Sequence, residues 1–162
     1  MKSINTLLAI LFISLLSSPS WSATMDDLVE RDGLYYEKFT DAPYSGKVTG
    51  KEQGSFKDGK REGAWIYYHR NGQLQLKGNY KNGQKEGAWV DYWENGQLGG
   101  KGNYKSGKKE GAWVDYWENG QLQLKGNYKN GKKDGVWVAY FSKGNAWKKL
   151  SGTFKDDVKI SD

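Results

Sequence analysis

Residues Gly111–Asp134 read GAWVDYWENGQLQLKGNYKNGKKD, and this 24-residue stretch decides the fold because most of the chain repeats it. Gly87–Glu110 reads GAWVDYWENGQLGGKGNYKSGKKE, and Gly63–Glu86 reads GAWIYYHRNGQLQLKGNYKNGQKE. A fixed period between about 20 and 50 residues marks an array in which each unit buries its apolar surface against its neighbours. Each unit carries two turn signals, here Asn119-Gly120 and Asn130-Gly131, between short runs rich in Trp, Tyr, Val and Leu. No run has apolar residues at helical spacing, so the unit is two strands joined by tight turns.

A two-residue type I′ turn at Asn119-Gly120 pairs Trp117 with Leu122, Asp115 with Leu124, Trp113 with Gly126 and Gly111 with Tyr128. Side chains alternate along a strand, so Trp113, Asp115, Trp117, Leu122, Leu124, Gly126 and Tyr128 share one face. Ala112, Val114, Tyr116, Gln123, Lys125 and Asn127 take the other. At the second turn a two-residue connection sets Lys129 against Lys132, and like charges across a ladder are unfavourable. A four-residue loop, Asn130–Lys133, is therefore expected, pairing Lys129 with Asp134 and Gly126 with Trp137. Glycines then lie beneath aromatic rings, which accounts for much of the total of 22. The period is even, so every unit presents the same faces and advances the sheet by about 10 Å. The expected fold is all-β: an elongated single-layer antiparallel sheet of tandem 24-residue hairpins.

Outward from the array, Gly135–Val158 is a divergent fourth unit with two residues inserted around Ala146–Lys149. Residues 23–62 form an N-terminal cap and a degenerate repeat. In it, strands near Leu34–Phe39 and Tyr44–Val48 join through Asp41-Ala42-Pro43, and Ala23–Arg31 is either a frayed lead-in or a short capping helix. Lys155–Asp162 is expected to be a charged tail.

Residues 1–22 have the composition of a signal peptide: Lys2, an apolar run Leu7–Leu16, then small residues and Pro19. Ser20-Trp21-Ser22 places cleavage after Ser22, with Ala23 as the rival. The chain is then periplasmic or secreted, the alternative being anchorage by an uncleaved leader. Without the leader, 24 basic and 19 acidic side chains leave a net charge of +5. No cysteine is present, which removes disulfides and thiolate metal sites.

The consensus GNYKNGKKEGAW, followed by a Tyr-aromatic pair and ENGQL, resembles the bacterial MORN-repeat variant, whose members are often labelled antitoxins. The resemblance spans roughly residues 33–155. It implies β-hairpins in an elongated sheet and a role in protein contact, scaffolding or membrane-lipid association. It supplies no catalytic residues. Combined with export, the antitoxin label implies immunity against an exported toxin.

Two sets of residues are candidates for binding. One is the aromatic face: Trp65, Trp89, Trp93, Trp113, Trp117, Trp137 and Phe141 with Tyr80, Tyr104 and Tyr128, which forms either an interaction surface or the sheet's only core. The other is a basic edge at one set of turns: Lys57, Lys60 and Arg61, then Lys81 and Lys85, then Lys105, Lys108 and Lys109, then Lys129, Lys132 and Lys133. It either attracts anionic lipid headgroups or envelope polymers, or is a solvated edge. The expected partner is a protein or a second copy of the chain, with envelope glycan or anionic headgroups as the alternative. Export and a modest charge argue against nucleic acid. His69, the sole histidine, fills the slot of Trp93 and Trp117, and Asp91, Asp115, Glu94 and Glu118 recur with the repeat. No catalytic, cofactor or metal site is expected from them.

Overall fold

The computed structural model describes residues 22–162, so the leader assignment falls outside the described residues save for Ser22. The chain begins with β1 (Ala23–Thr24), a single 3-10 turn (Met25–Asp27), β2 (Leu28–Arg31), β3 (Leu34–Glu37), β4 (Gly46–Thr49) and β5 (Glu52–Lys57). The array follows as β6 (Lys60–Tyr68), β7 (Leu74–Lys81), β8 (Gln84–Tyr92), β9 (Leu98–Lys105), β10 (Lys108–Tyr116) and β11 (Leu122–Lys129). It closes with β12 (Lys132–Lys133), β13 (Gly135–Ala139), β14 (Gly152–Lys155) and β15 (Val158–Ser161). Thirteen strands form one sheet in which successive strands pair antiparallel, β12 and β13 both against β11, apart from a parallel contact of β1 with β4, and β2–β3 form a separate hairpin. The expected fold, one long sheet of tandem hairpins, is the observed one.

The turns exchange the roles expected of them. At Asn130-Gly131 both residues have positive φ (53° and 86°), and Lys129 lies opposite Lys132. This is the two-residue type I′ turn, not the four-residue loop. Cross-strand repulsion at an exposed edge costs a few tenths of a kcal/mol, too little to overrule a backbone that Asn-Gly fits. The two residues assigned to the loop appear instead as a bulge after Glu110, where Gly111 has a φ of 71°. Past the bulge Trp113 faces Gly102, the pairing expected of Trp137 and Gly126.

At Asn119-Gly120 only the glycine has positive φ (79°), and Gly120 N–H donates to Trp117 O while Trp117 N–H donates to Gln121 O. That is a type I turn followed by a glycine bulge, a three-residue connection. Asp115↔Leu124, Trp113↔Gly126 and Gly111↔Tyr128 pair as expected, but Tyr116, rather than Trp117, is opposite Leu122. The bulge swings Leu122 to the face of Tyr116.

Both ends also differ from expectation. Leu34–Glu37 pairs with Leu28–Arg31 through an Asp32-Gly33 turn, not with the strand after Pro43; of the two alternatives for residues 23–31 the short helix is present, as a single 3-10 turn at Met25–Asp27 between two strands. Val158–Ser161 is the last sheet strand, joined to β14 through Asp156-Asp157, and not a tail.

Candidate functional site

The first face is a zipper of rings. Phe56, Trp65, Tyr80, Trp89, Tyr104, Trp113, Tyr128 and Trp137 meet in sequence with centroids 4.8–6.1 Å apart and planes 74–88° from parallel. Such edge-to-face pairs add about 0.5–1.5 kcal/mol each beyond area burial. Each Trp lies over a glycine of the preceding strand: Trp65 on Gly54, Trp89 on Gly78, Trp113 on Gly102 and Trp137 on Gly126, where a methyl group would overlap the indole. The four tryptophans are 0–7% exposed, and Tyr80, Tyr104 and Tyr128 are half-buried among them. These rings are the core of the sheet.

Over the rings lies a row of cations. Lys85 Nζ is 4.3 Å from the Trp89 ring, Lys109 Nζ 3.9 Å from Trp113 and Lys133 Nζ 4.7 Å from Trp137, and the Arg61 guanidinium is 5.0 Å from Trp65. Burial lowers the pKa of Lys85, helped by nearby Lys109. Burial also lowers that of Lys109, against the pull of Asp115 and Asp91. The sequence-defined basic edge thus divides into these half-buried caps of the aromatic face and the exposed turn lysines Lys57, Lys60, Lys81, Lys105, Lys108, Lys129 and Lys132.

One notch interrupts the zipper face. Gly100 occupies the slot of Leu76 and Leu124, and the carboxylates of Asp91 and Asp115 lean over it. Burial raises the pKa of both acids, and for Asp91 the charge of Asp115 adds to it. Trp113 Nε1 donates to Asp115 Oδ1 at 2.8 Å, whereas Trp89 and Trp137 donate to the carbonyls of Asn79 and Asn127. Among the described residues no group of three His, Cys, Asp or Glu side chains is placed to hold a metal ion.

Both turn edges are stitched from one hairpin to the next. On one, Trp93 Nε1 donates to Tyr116 O and Trp117 Nε1 to Tyr140 O, while Asn71, Asn95 and Asn119 donate to Glu94 O, Glu118 O and Ser142 O. His69 Nε2 reaches Tyr92 O in the same way at 2.8 Å. Trp93 remains 38% exposed and Phe141 45%, the latter stacked on Trp147 at 4.6 Å. On the other edge, the carboxylates of Glu62, Glu86 and Glu110 accept the N–H groups of Asn82, Ser106 and Asn130.

Among the described residues no layer covers the opposite face. A trough of about 610 Å³ runs over Ala88, Val90, Ala112, Val114, Tyr116 and Leu122, bordered by Lys101, Asn103 and Lys125. Register places Ile66, Lys77, Val90, Lys101, Val114, Lys125 and Val138 side by side across seven strands, so apolar and basic residues alternate along one line. Lys77, Lys101 and Lys125 are exposed. Residue-by-residue reading passed over this row, although the alternation is present in the sequence once register is assigned.

No curated protein matches the chain. Among solved structures, the crystal structure of a GtfA/B complex bound to UDP and GlcNAc is similar at 11% identity and a TM-score of 0.23, covering 68% of this chain and 24% of that chain. The present chain thus spans about a quarter of that one, and a similarity this slight carries no argument. Residues 61–82, 85–106 and 109–130 each match the family model of the MORN repeat variant, so the centre of the chain is a tandem array of three units similar to MORN repeats.

Proposed function

We propose that the chain is an exported, non-catalytic module that binds another protein on the trough face of its sheet. One observation carries this reading: the aromatic face is filled by its own rings and their capping cations, whereas the trough face leaves apolar Val90 and Val114 half-exposed beside exposed lysines. Apolar surface that a fold leaves uncovered in a regular, basic frame suits a protein contact better than plain solvent exposure. The leader-like composition of residues 1–22 supports export, and immunity toward an exported toxin is the form of this role that the repeat resemblance implies.

The test is an affinity capture from the cell envelope, at low and high salt, comparing the wild type with Val90→Glu/Val114→Glu on the trough and Lys108→Glu/Lys132→Glu on the turns. A stoichiometric protein retained in high salt, and lost only with the trough pair, supports the proposal. Capture that ignores the trough pair and disappears with the turn pair refutes it in favour of an electrostatic edge.

A second reading rests on Trp93 and Phe141, whose partly exposed rings recur along the other edge. Envelope glycan binding would use this edge by stacking. It predicts that Trp93→Ala/Phe141→Ala abolishes retention on insoluble cell-wall polymer while the chain remains folded, with a cooperative melt lowered less than by Trp89→Ala.

A further inference from the structure

The trough carries a periodicity that selects a ligand conformation. Lys77, Lys101 and Lys125 lie on alternate strands of one line, so successive lysines are about 10 Å apart. A β-strand laid across the sheet shows the same face every two residues, about 6.7 Å, and falls out of step at once. A polyproline II helix has three residues per turn and about 3.1 Å rise per residue, hence about 9.3 Å per turn, close to the lysine spacing. One edge of such a helix would meet every lysine in turn. A second edge would meet Val90, Val114 and the Tyr116 ring, an aromatic-edged apolar groove of the kind that receives this conformation, and the third would face solvent. The carboxylates on the flank, Glu86 and Glu110, are held at the turns by the amides they accept, and among the described residues Lys77, Lys101 and Lys125 form no salt bridge.

We propose that the trough receives a polyproline II segment of a partner protein with an acidic residue at every third position, running across the strands from Lys77 to Lys125. This rests on the interaction-module reading and adds to it the ligand's conformation, charge and repeat.

The probes are three labelled nonapeptides titrated into the purified protein: (Pro-Pro-Glu)3, (Pro-Pro-Gln)3 and an alternating Ser-Glu peptide with acid at every second position. Amide and indole resonances report the location, and fluorescence polarisation the affinity. The expected result is binding of (Pro-Pro-Glu)3 alone, weakening as salt rises, with shifts at Val90, Lys101 and Val114. Lys101→Ala should weaken it about two- to five-fold, and Lys77→Glu/Lys101→Glu/Lys125→Glu should abolish it while near-ultraviolet dichroism is unchanged.

Equal affinity for the Gln peptide, or for the alternating peptide, overturns the proposal. So do shifts confined to the Trp93 and Trp117 indoles, and so does binding of phosphatidylglycerol vesicles with no peptide binding. If no peptide binds and the envelope capture still yields a protein sensitive to Val90→Glu/Val114→Glu, the ligand class is wrong and the interaction reading stands.

Discussion

Gly78→Ala tests whether the glycines of this sheet exist to seat rings. Gly78 has ordinary extended backbone geometry, so its role is space rather than conformation, and a Cβ there would overlap the Trp89 indole from Cγ to Cε2. Trp89 is 2% exposed and wedged between Tyr80 at 5.0 Å and Tyr104 at 6.1 Å, which leaves the ring nowhere to retreat without loosening both contacts. Overpacking a filled core costs about 1–3 kcal/mol, and each weakened edge-to-face pair forfeits part of about 0.5–1.5 kcal/mol. Replacing glycine in a strand returns about 0.5–1 kcal/mol through the unfolded chain. The net expectation is a destabilisation of about 1–3 kcal/mol, or a fall in melting temperature of about 3–10 °C for a domain of this size. Thermal and urea unfolding followed by Trp fluorescence measures it. Gly87→Ala serves as the contrast: its φ is +68° and nothing lies within 4 Å of the added carbon, so only left-handed backbone strain of about 1–2 kcal/mol applies. The decisive comparison is Gly78→Ala in a Trp89→Val background, where the penalty should vanish or reverse. An undiminished penalty there, or a shift below about 2 °C in the wild type, would refute ring seating.

The notch gives a pH prediction with a definite sign. The folded-state pKa values of Asp91 and Asp115 are raised, so the folded chain holds more protons than the unfolded one above the ordinary carboxylate range. Their contribution to stability is therefore full at low pH and declines as pH rises through the raised values; Asp91→Asn/Asp115→Asn should flatten that decline in urea titrations. Lys109→Met removes a cation 3.9 Å from the Trp113 centroid and should cost less than about 1 kcal/mol at neutral pH, because the ammonium is only half-buried. Asn95→Ala loses both the bond to Glu118 O and the acceptor for Gln97 N–H, and should cost about 1–2 kcal/mol in a thermal scan. Asn95→Asp retains the acceptor for Gln97 N–H but turns a carboxylate oxygen toward Glu118 O, so its cost should fall as the pH is lowered and the acid is protonated. Trp93→Ala, at a 38% exposed edge position, should destabilise clearly less than Trp89→Ala in the same scan.

Period and, apart from Leu122 beside the turn, face parity were legible in the sequence because an even repeat forces identical residues onto identical faces. Turn type was not. Asn-Gly occurs at both turns of Gly111–Asp134, yet Asn130 takes positive φ and Asn119 does not. The difference lies beyond the dipeptide: the Asn119 side chain accepts the Gln121 amide and donates to Ser142 O in the next unit. Such a bond joins residues 23 apart, and local propensity contains no term for it. The expected long loop failed for a related reason, since a small charge repulsion was set against a backbone preference with a glycine bulge downstream to absorb the surplus residues. The lysine row of the trough stayed hidden because Lys77, Lys101 and Lys125 are a whole unit apart in the chain and become neighbours of valines only through pairing.

The stitches along both edges have a kinetic consequence. The side-chain stitches along the two turn edges span only 20 to 24 residues, from Glu86 with Ser106 to Trp117 with Tyr140, and the backbone ladder between hairpins spans fewer. Closing so short a segment is cheap in chain entropy, and nothing at the far end of the molecule has to be present first. The array is therefore expected to assemble by zipping, one hairpin laid on the last, while the chain is still emerging from whatever delivers it. A chain gripped at its two ends would come apart by the reverse route, as a staircase of small steps rather than a single rupture.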